Sequence, residues 1–327
     1  MTLKSNAPRN NIAAVLLQSP HLVGITALIL IGACGFVGAF VYFGSIVEST
    51  PDAVADTAKT DPFADIALQA KSVYVQDIVT GKVLFQRNAD EQRPLASLTK
   101  VALALVVAES IPADTVITIP YDTAPRGAAE RLAKGEKWKV SDVLSFTLTA
   151  SSNEGADILA AAVDGAVRAK YPQASEGAAA IWRMNDLAHS LGLSTMNFYN
   201  DSGLDLDVQA GRAGAYASAH DVAVLYAYAA STTPSTFAGT TRDGILLTDE
   251  NGNTASAFNT NEALGAIPGL IMGKTGYTDL AGGNLAVVFD VGLSHPVIAV
   301  VLGSTIDGRF SDMKQIVPAA RKAVAQE

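Results

Sequence analysis

The chain has 327 residues, of which 49% are hydrophobic and 17% charged, with a formal net charge of −9 at pH 7. That length admits one large domain or two small ones, and the acidic balance excludes a phosphate-backbone binder, which needs clustered Lys and Arg, so no nucleic-acid partner is expected. A single cysteine, Cys34, and four scattered histidines (His21, His189, His220 and His295) exclude a disulfide scaffold and a cysteine-ligated metal centre within one chain, and no metal or organic cofactor is implied.

The mean hydropathy of +0.25 is high, and the apolar excess sits near the start. Leu22 to Val47 runs 26 residues without a charge. As a helix this run measures about 39 Å, against roughly 30 Å of bilayer hydrocarbon. A cleavable signal peptide has a shorter apolar stretch and a small-residue cleavage site. Residues 22–47 are therefore expected to form a transmembrane signal-anchor helix, with residues 1–21 as a cytoplasmic N-terminal segment. Lys4 and Arg9 precede the span, whereas Glu48, Asp52, Asp56, Asp61 and Asp65 follow it with only Lys59 opposing. By the positive-inside rule the body lies outside. Cys34 has two readings. Ile31-Gly32-Ala33-Cys34 loosely resembles a lipidation box, but the residues after it stay apolar, which suits a cysteine within the span.

Residues 48–65 are rich in Asp, Ala, Thr and Pro and lack periodicity, as a flexible tether does. Extended, they reach about 60 Å at most and about 24 Å on average as a coil. The body, residues 66–327, shows no second linker. It opens with two strand-like runs, Ser72–Asp77 and Lys82–Arg87, joined as a hairpin through Ile78–Gly81. Helical patterns follow at Val101–Glu109, Val140–Ala150, Gly155–Lys170, Glu176–Leu191 and Ala217–Ala230. Strands return at Leu270–Thr275, Asn284–Val291 and Val297–Gly303, and a last helix covers Asp312–Ala325, with Pro318 as a point of kinking. Strands at both ends around a helical middle predict an α+β fold. One antiparallel sheet is built from both termini and flanked by helices, with a helical lobe inserted and one transmembrane helix ahead of it.

Three short motifs carry chemistry. In Ser97-Leu98-Thr99-Lys100, residues three apart share a helix face, so the Ser97 hydroxyl and the Lys100 amine can meet at a helix start. The apolar run after it, VALALVVA, predicts a buried helix. A free lysine is neutral in only about one molecule in 2,500 at pH 7, and bringing its pKa to 7 costs about 4.6 kcal/mol. Burial and a second cation are the two ways to supply that shift. A neutral Lys100 could then take the Ser97 proton during attack on a carbonyl. In Ser151-Ser152-Asn153, a serine could relay protons and an amide could orient substrate. In Lys274-Thr275-Gly276, the lysine could be the second cation, the threonine could hold a carboxylate, and the glycine would let a strand approach another backbone. Each motif alone has an ordinary structural reading: a lysine snorkelling out of a helical turn, Asn153 as an N-cap, and a strand ending in a turn.

Their order and spacing change the weight. Ser-x-x-Lys, Ser-x-Asn and Lys-Thr-Gly together form the signature of penicillin-interacting serine enzymes. The sequence resembles the low-molecular-mass penicillin-binding proteins, the serine-type D-alanyl-D-alanine carboxypeptidases. The flanks RPLASLTKVALAL, NFYNDSGLD, AYASAHDVAVLYAYA and GLIMGKTGYTDLAGGNL resemble that family too. The resemblance spans about residues 68–320 and implies the β-lactamase/transpeptidase-like version of the α+β fold. It further implies that Ser97 is the acylated nucleophile, Lys100 its base and Ser151 a proton relay toward the leaving D-alanine. Asn153 would bond the stem-peptide amide, Lys274 would supply positive potential, and Thr275 and Arg309 would meet the terminal carboxylate. The peptide would lie along the strand of Lys274 and Gly276, and the backbone N–H groups of Ser97 and Tyr277 would form the oxyanion hole.

The implied partners are peptidoglycan pentapeptide, β-lactam antibiotics as covalent inhibitors, and the bacterial cytoplasmic membrane through residues 22–47. Two departures stand out. Glu154 occupies a position where the family more often has Asp. The family's second β-rich domain and C-terminal amphipathic anchor are not read after the last helix. A DD-endopeptidase uses the same residues. A serine β-lactamase shares the motifs but needs a deacylation device, and no Glu-x-x-Leu-Asn-type segment follows Ser151. A non-catalytic β-lactam- or wall-binding module would usually show a damaged motif.

Overall fold

The computed structural model describes residues 60–121 and 132–326. The expected membrane span lies outside the described residues, and among these no helix is long and apolar enough to cross a membrane. Phe63, near the end of the expected tether, is buried and stacks on Phe85 at 5.0 Å between centroids, so the chain is already packed on the body there.

The chain enters through the expected hairpin, β1 (Ser72–Asp77) and β2 (Val83–Arg87). Its turn is closed by Asp77, whose Oδ1 accepts from Val79 N at 2.8 Å and whose Oδ2 accepts from the Thr80 hydroxyl at 2.7 Å. A short β3 (Arg93–Pro94) leads into a 3-10 turn, Ala96–Thr99, and then α1 (Lys100–Ser110). Every residue of α1 from Lys100 to Val107 is buried, as its all-round apolar sequence requires.

The helical lobe follows. A small ladder of β4 (Val116–Thr118) and β5 (Lys137–Lys139) precedes α2 (Val140–Ala150), α3 (Asn153–Lys170) and α4 (Ala179–Ser190). Next come β6 (Asn197–Phe198), β7 (Ala215–Ala217), which pairs with both β3 and β6, and α5 (Ala219–Thr232). Between residues 233 and 269 the structure adds elements that periodicity does not reveal. These are a 3-10 stretch, Pro234–Thr241, and a hairpin of β8 (Gly244–Thr248) and β9 (Thr254–Phe258).

The chain returns as β10 (Leu270–Thr278), β11 (Gly282–Asp290) and β12 (Pro296–Ser304), and closes with α6 (Gly308–Ala325). Helix α6 begins four residues before the expected Asp312 and continues as one helix through Pro318.

The main sheet has the order β10-β11-β12-β1-β2 and every pair is antiparallel, so strands from the two ends of the body meet in one sheet as expected. Its inner strands are buried on both faces with strict alternation. Val73 and Val75, Leu285, Val287 and Phe289, and Val297, Ala299 and Val301 pack toward α6 with Met313, Ile316 and Val317. Tyr74, Ala286 and Val288, and Ile298, Val300 and Leu302 face the helical lobe around α1, α2 and α5. A one-residue register slip would exchange these sets. Strand β10 is left at one edge of the sheet.

Asp312 ties the first described segment to α6. It is fully buried and accepts from Gln69 N (2.8 Å), Ala70 N (2.9 Å) and Ser304 Oγ (2.8 Å). Asp312→Ala strands three donors and is expected to cost about 3 kcal/mol. It should appear as a lower urea midpoint at unchanged m-value, and a midpoint equal to wild type would show that water replaces the carboxylate.

Candidate active site

Ser97 sits in the 3-10 turn between β3 and α1. The turn is tight: Ala96 has φ +49°, a conformation unfavourable for a residue with a Cβ, and Thr99 Oγ1 donates to Ala96 O at 2.7 Å. Ser97 stays partly exposed while Ala96, Leu98, Thr99 and Lys100 around it are buried. The turn is docked on the sheet by Asn284 of β11. This fully buried amide donates to Pro94 O (3.0 Å) and Leu95 O (3.1 Å) and accepts from Gly303 N (2.8 Å). Strand β10 presses against the same turn. A Cβ at Gly276 would lie 2.8 Å from Leu95 O and 3.2 Å from Ser97 N, so the glycine permits the close backbone approach expected for it.

Lys100 opens α1 and is 1% exposed. Its Nζ lies 2.9 Å from Ser97 Oγ, 2.8 Å from Asn153 Oδ1 and 2.7 Å from Ser202 O. The amide and carbonyl oxygens can only accept, whereas the serine hydroxyl can also donate. Ser202 belongs to a turn held by Asn200, whose Oδ1 accepts from Gly203 N at 2.7 Å. Gly203, at φ +81°, abuts Ala96, and a Cβ there would fall 1.9 Å from Ala96 O, so no other residue fits.

Ser151 terminates α2 in the left-handed region, at φ 60° and ψ 35°. It accepts from Lys274 Nζ at 2.8 Å, and Lys274, 2% exposed on β10, also donates to Thr275 O at 3.0 Å. The N-cap of α3 is Ser152, whose Oγ accepts from Gly155 N at 3.0 Å, and not Asn153 as its ordinary reading would have it. Asn153 is the first residue of α3, with its side-chain oxygen turned to Lys100.

Thr275 is buried, with its hydroxyl 2.5 Å from that of Thr260. Tyr277 is 48% exposed beyond it. Arg309, in the first turn of α6, is buried over the Phe310 ring and donates from Nη1 to Gly276 O at 2.7 Å. Burial pushes its guanidinium pKa down against the opposing pull of Glu262 and Asp307. Its observed side-chain hydrogen bond is thus to the backbone of β10.

The structure therefore joins the three motifs in one site: Lys100 bonds Ser97 and Asn153, Lys274 bonds Ser151, and Gly276 lies against the Ser97 turn. Sequence reasoning passed over Ser202, Asn284 and Thr260. The first two act through a carbonyl and a buried amide, which leave no motif. Asp201, beside Ser202, is also new. Burial pushes its carboxyl up to about 7, neighbouring Asp157 pushes the same way through its charge and a hydrogen bond, and Lys100 opposes both.

The family model described as D-alanyl-D-alanine carboxypeptidase matches residues 55–305, most of the chain, and the chain belongs to that family. It is 29% identical over 255 residues to the D-alanyl-D-alanine carboxypeptidase DacF of Bacillus subtilis, covering 74% of this chain and 59% of that protein. Over 161 residues it is 35% identical to a D-alanyl-D-alanine endopeptidase of Pseudomonas aeruginosa, covering 47% and 49%. It thus spans about half to three-fifths of the length of these curated relatives. Among solved structures, penicillin-binding protein D2 of Listeria monocytogenes in its cefotaxime-bound form superposes with a TM-score of 0.63 at 28% identity, covering 78% of this chain and 98% of that one. The α+β, penicillin-binding/transpeptidase-like fold expected from the sequence is the fold observed.

Asp201 makes stability depend on pH with a definite sign. Its folded pKa of about 7 exceeds the unfolded value near 3.9, so the linked stabilisation is complete below about pH 4 and is lost as pH rises toward 7. Asp201→Asn carries no titratable charge and is expected to melt higher than wild type at pH 8 but not at pH 4. Equal differences at both pH values would count against a raised carboxyl.

Proposed function

We propose that this family member is a serine D-alanyl-D-alanine carboxypeptidase that trims peptidoglycan stem peptides through an acyl-enzyme at Ser97. One observation carries the reading: a buried lysine amine 2.9 Å from the hydroxyl of a partly exposed serine, with two obligate acceptors bonded to the same amine. A neutral amine has two N–H bonds and one lone pair. With N–H bonds directed at Asn153 Oδ1 and Ser202 O, its lone pair can accept from the Ser97 hydroxyl. Lys100 then takes that proton as Ser97 Oγ attacks the carbonyl of the penultimate D-alanine.

The developing oxyanion would be met by the N–H groups of Ser97 and Tyr277. The close approach of Gly276 to the Ser97 turn supports that placement. As the C–N bond breaks, the proton held by Lys100 passes through Ser151, itself hydrogen-bonded to Lys274, to the leaving D-alanine amine, which restores the neutral lysine. Water then attacks the ester, with Lys100 again the base. Strand β10, at the sheet edge, offers its backbone for an added peptide strand. Asn153 can donate from its amide nitrogen to the stem peptide while its oxygen serves Lys100. Lys274 supplies positive potential, and Thr275 meets the terminal carboxylate with Arg309 behind it. β-Lactams would acylate the same serine. The similarity to the Pseudomonas endopeptidase favours a second reading, cleavage of D-Ala cross-links by the same residues. The uncharged run 22–47 and the charge asymmetry around it support a single-pass anchor in the cytoplasmic membrane, with the catalytic domain outside.

The test is to incubate the full chain with benzylpenicillin and follow its intact mass. A persistent adduct mapping to Ser97, with release of D-alanine from a D-Ala-D-Ala peptide, is the expected outcome. Rapid penicillin consumption without an adduct would mean a β-lactamase, and an untouched antibiotic would overturn the acyl-enzyme reading. Lys100→Ala should slow acylation by about 10²- to 10⁴-fold, the usual worth of a positioned base. Gly203→Ala, which must push Ser202 away from Lys100, should slow it by about 10²-fold, as a 1 Å misplacement does.

A further inference from the structure

Beside the motif strand stands a hydroxyl that no motif includes. Thr260 Oγ1 is 2.5 Å from Thr275 Oγ1, a short O–H···O bond. The loop that presents it, just after β9, is held on both sides. Asn259 donates from Nδ2 to Thr240 O (2.8 Å) and Arg242 O (2.9 Å), and its backbone N donates to Asp243 O (2.8 Å). Its Oδ1 accepts from Asn261 N at 2.9 Å, and Asn261 Oδ1 in turn accepts from Ala263 N at 3.0 Å. Asn261 is 3% exposed. Thr240, which anchors the loop through its carbonyl, also accepts from Gly273 N of β10 through its hydroxyl at 3.2 Å. Loop and strand thus share one support, and the distance between the two threonine hydroxyls is set by backbone on both sides.

Two hydroxyls carry two protons. One is used in the bond between them and one remains for a third partner. If Thr260 donates to Thr275, the remaining proton is on Thr275, on the edge strand along which substrate would lie. We propose that Thr260 is a specificity-determining positioning residue that fixes the Thr275 hydroxyl as a donor to the terminal carboxylate of the substrate. The inference rests on the DD-peptidase reading of the same site. Thr260 O–H, Thr275 O–H and the carboxylate form a chain in which each bond polarises the next, and a bond to an ionised acceptor is about twice as strong as a neutral one. An isolated Thr275 would have a freely rotating hydroxyl able to direct its proton elsewhere. The consequence is selectivity for a free carboxylate over the same group esterified.

The test compares two acyl-D-alanyl thioesters that differ only in the leaving group, thioglycolate with its free carboxylate and the thioglycolate methyl ester. kcat and KM are measured for wild type, Thr260→Val, Thr260→Ser and Thr260→Ala, with melting temperatures alongside. Thr260→Val is expected to lower kcat/KM for the carboxylate thioester about tenfold, mainly through KM, and to change the methyl ester less than twofold. Thr260→Ala should give the same ratio without added bulk, and Thr260→Ser should restore wild-type selectivity. An equal loss on both thioesters, or a serine variant that behaves like valine, would overturn the proposal in favour of simple loop packing. A wild type that turns over neither thioester and takes no penicillin adduct would overturn the DD-peptidase reading and this inference with it.

Discussion

The site is organised by the amine of Lys100. A lysine amine taken out of water must have partners for its N–H bonds, and the fold supplies them from three separate parts of the chain: Ser97 one turn back, Asn153 at the start of α3, and the Ser202 carbonyl of a distant turn. Two of these partners only accept, whereas the Ser97 hydroxyl can also donate. Much else in the molecule can be understood as what keeps this arrangement together. Helix α1 is buried on all sides, so its first residue cannot swing into solvent.

Holding the arrangement needs unfavourable backbone. Ala96 and Ser151 both occupy the left-handed region although each has a Cβ, at a cost of about 1–3 kcal/mol per residue. The surroundings over-determine them. Asn284 fixes the strand before Ala96 with two hydrogen bonds, and Gly203 and Gly276 bring backbone against the same turn from opposite partners. Ser151 ends α2 directly before a capped α3, and Lys274 holds its hydroxyl. Strain, close packing and reactive groups therefore coincide, as they do where a site is preorganised rather than assembled by its substrate.

The opposite wall follows from sheet topology. Strand β10 lies at the edge of the sheet, and its pairing with β11 connects it to the buried sheet. Arg309 from α6 bonds the carbonyl of Gly276, and the Asn259–Asn261 loop sets Thr260 against Thr275. One strand thus carries Lys274, which bonds Ser151, Thr275, which meets Thr260, and Gly276, which admits the Ser97 turn.

What the sequence determined by itself is local. The apolar runs of β1, β11 and β12, the uninterrupted apolar run of α1 and the three motifs with their order were all legible, because run length and short spacing are properties of adjacent residues. The family resemblance followed from the motifs and their flanks. The β8–β9 hairpin was not legible, since its exposed faces blur the alternation, and neither was Ser152 as the cap of α3, since a serine and an asparagine side by side are equally good candidates until the backbone chooses. The tertiary structure alone decided which groups surround Lys100, that Arg309 bonds the backbone of β10, and that Thr260 meets Thr275. Those contacts join residues 33 to 102 positions apart, or 15 across a folded loop. They depend on how buried backbone groups are satisfied in three dimensions, and no pattern along the chain encodes that.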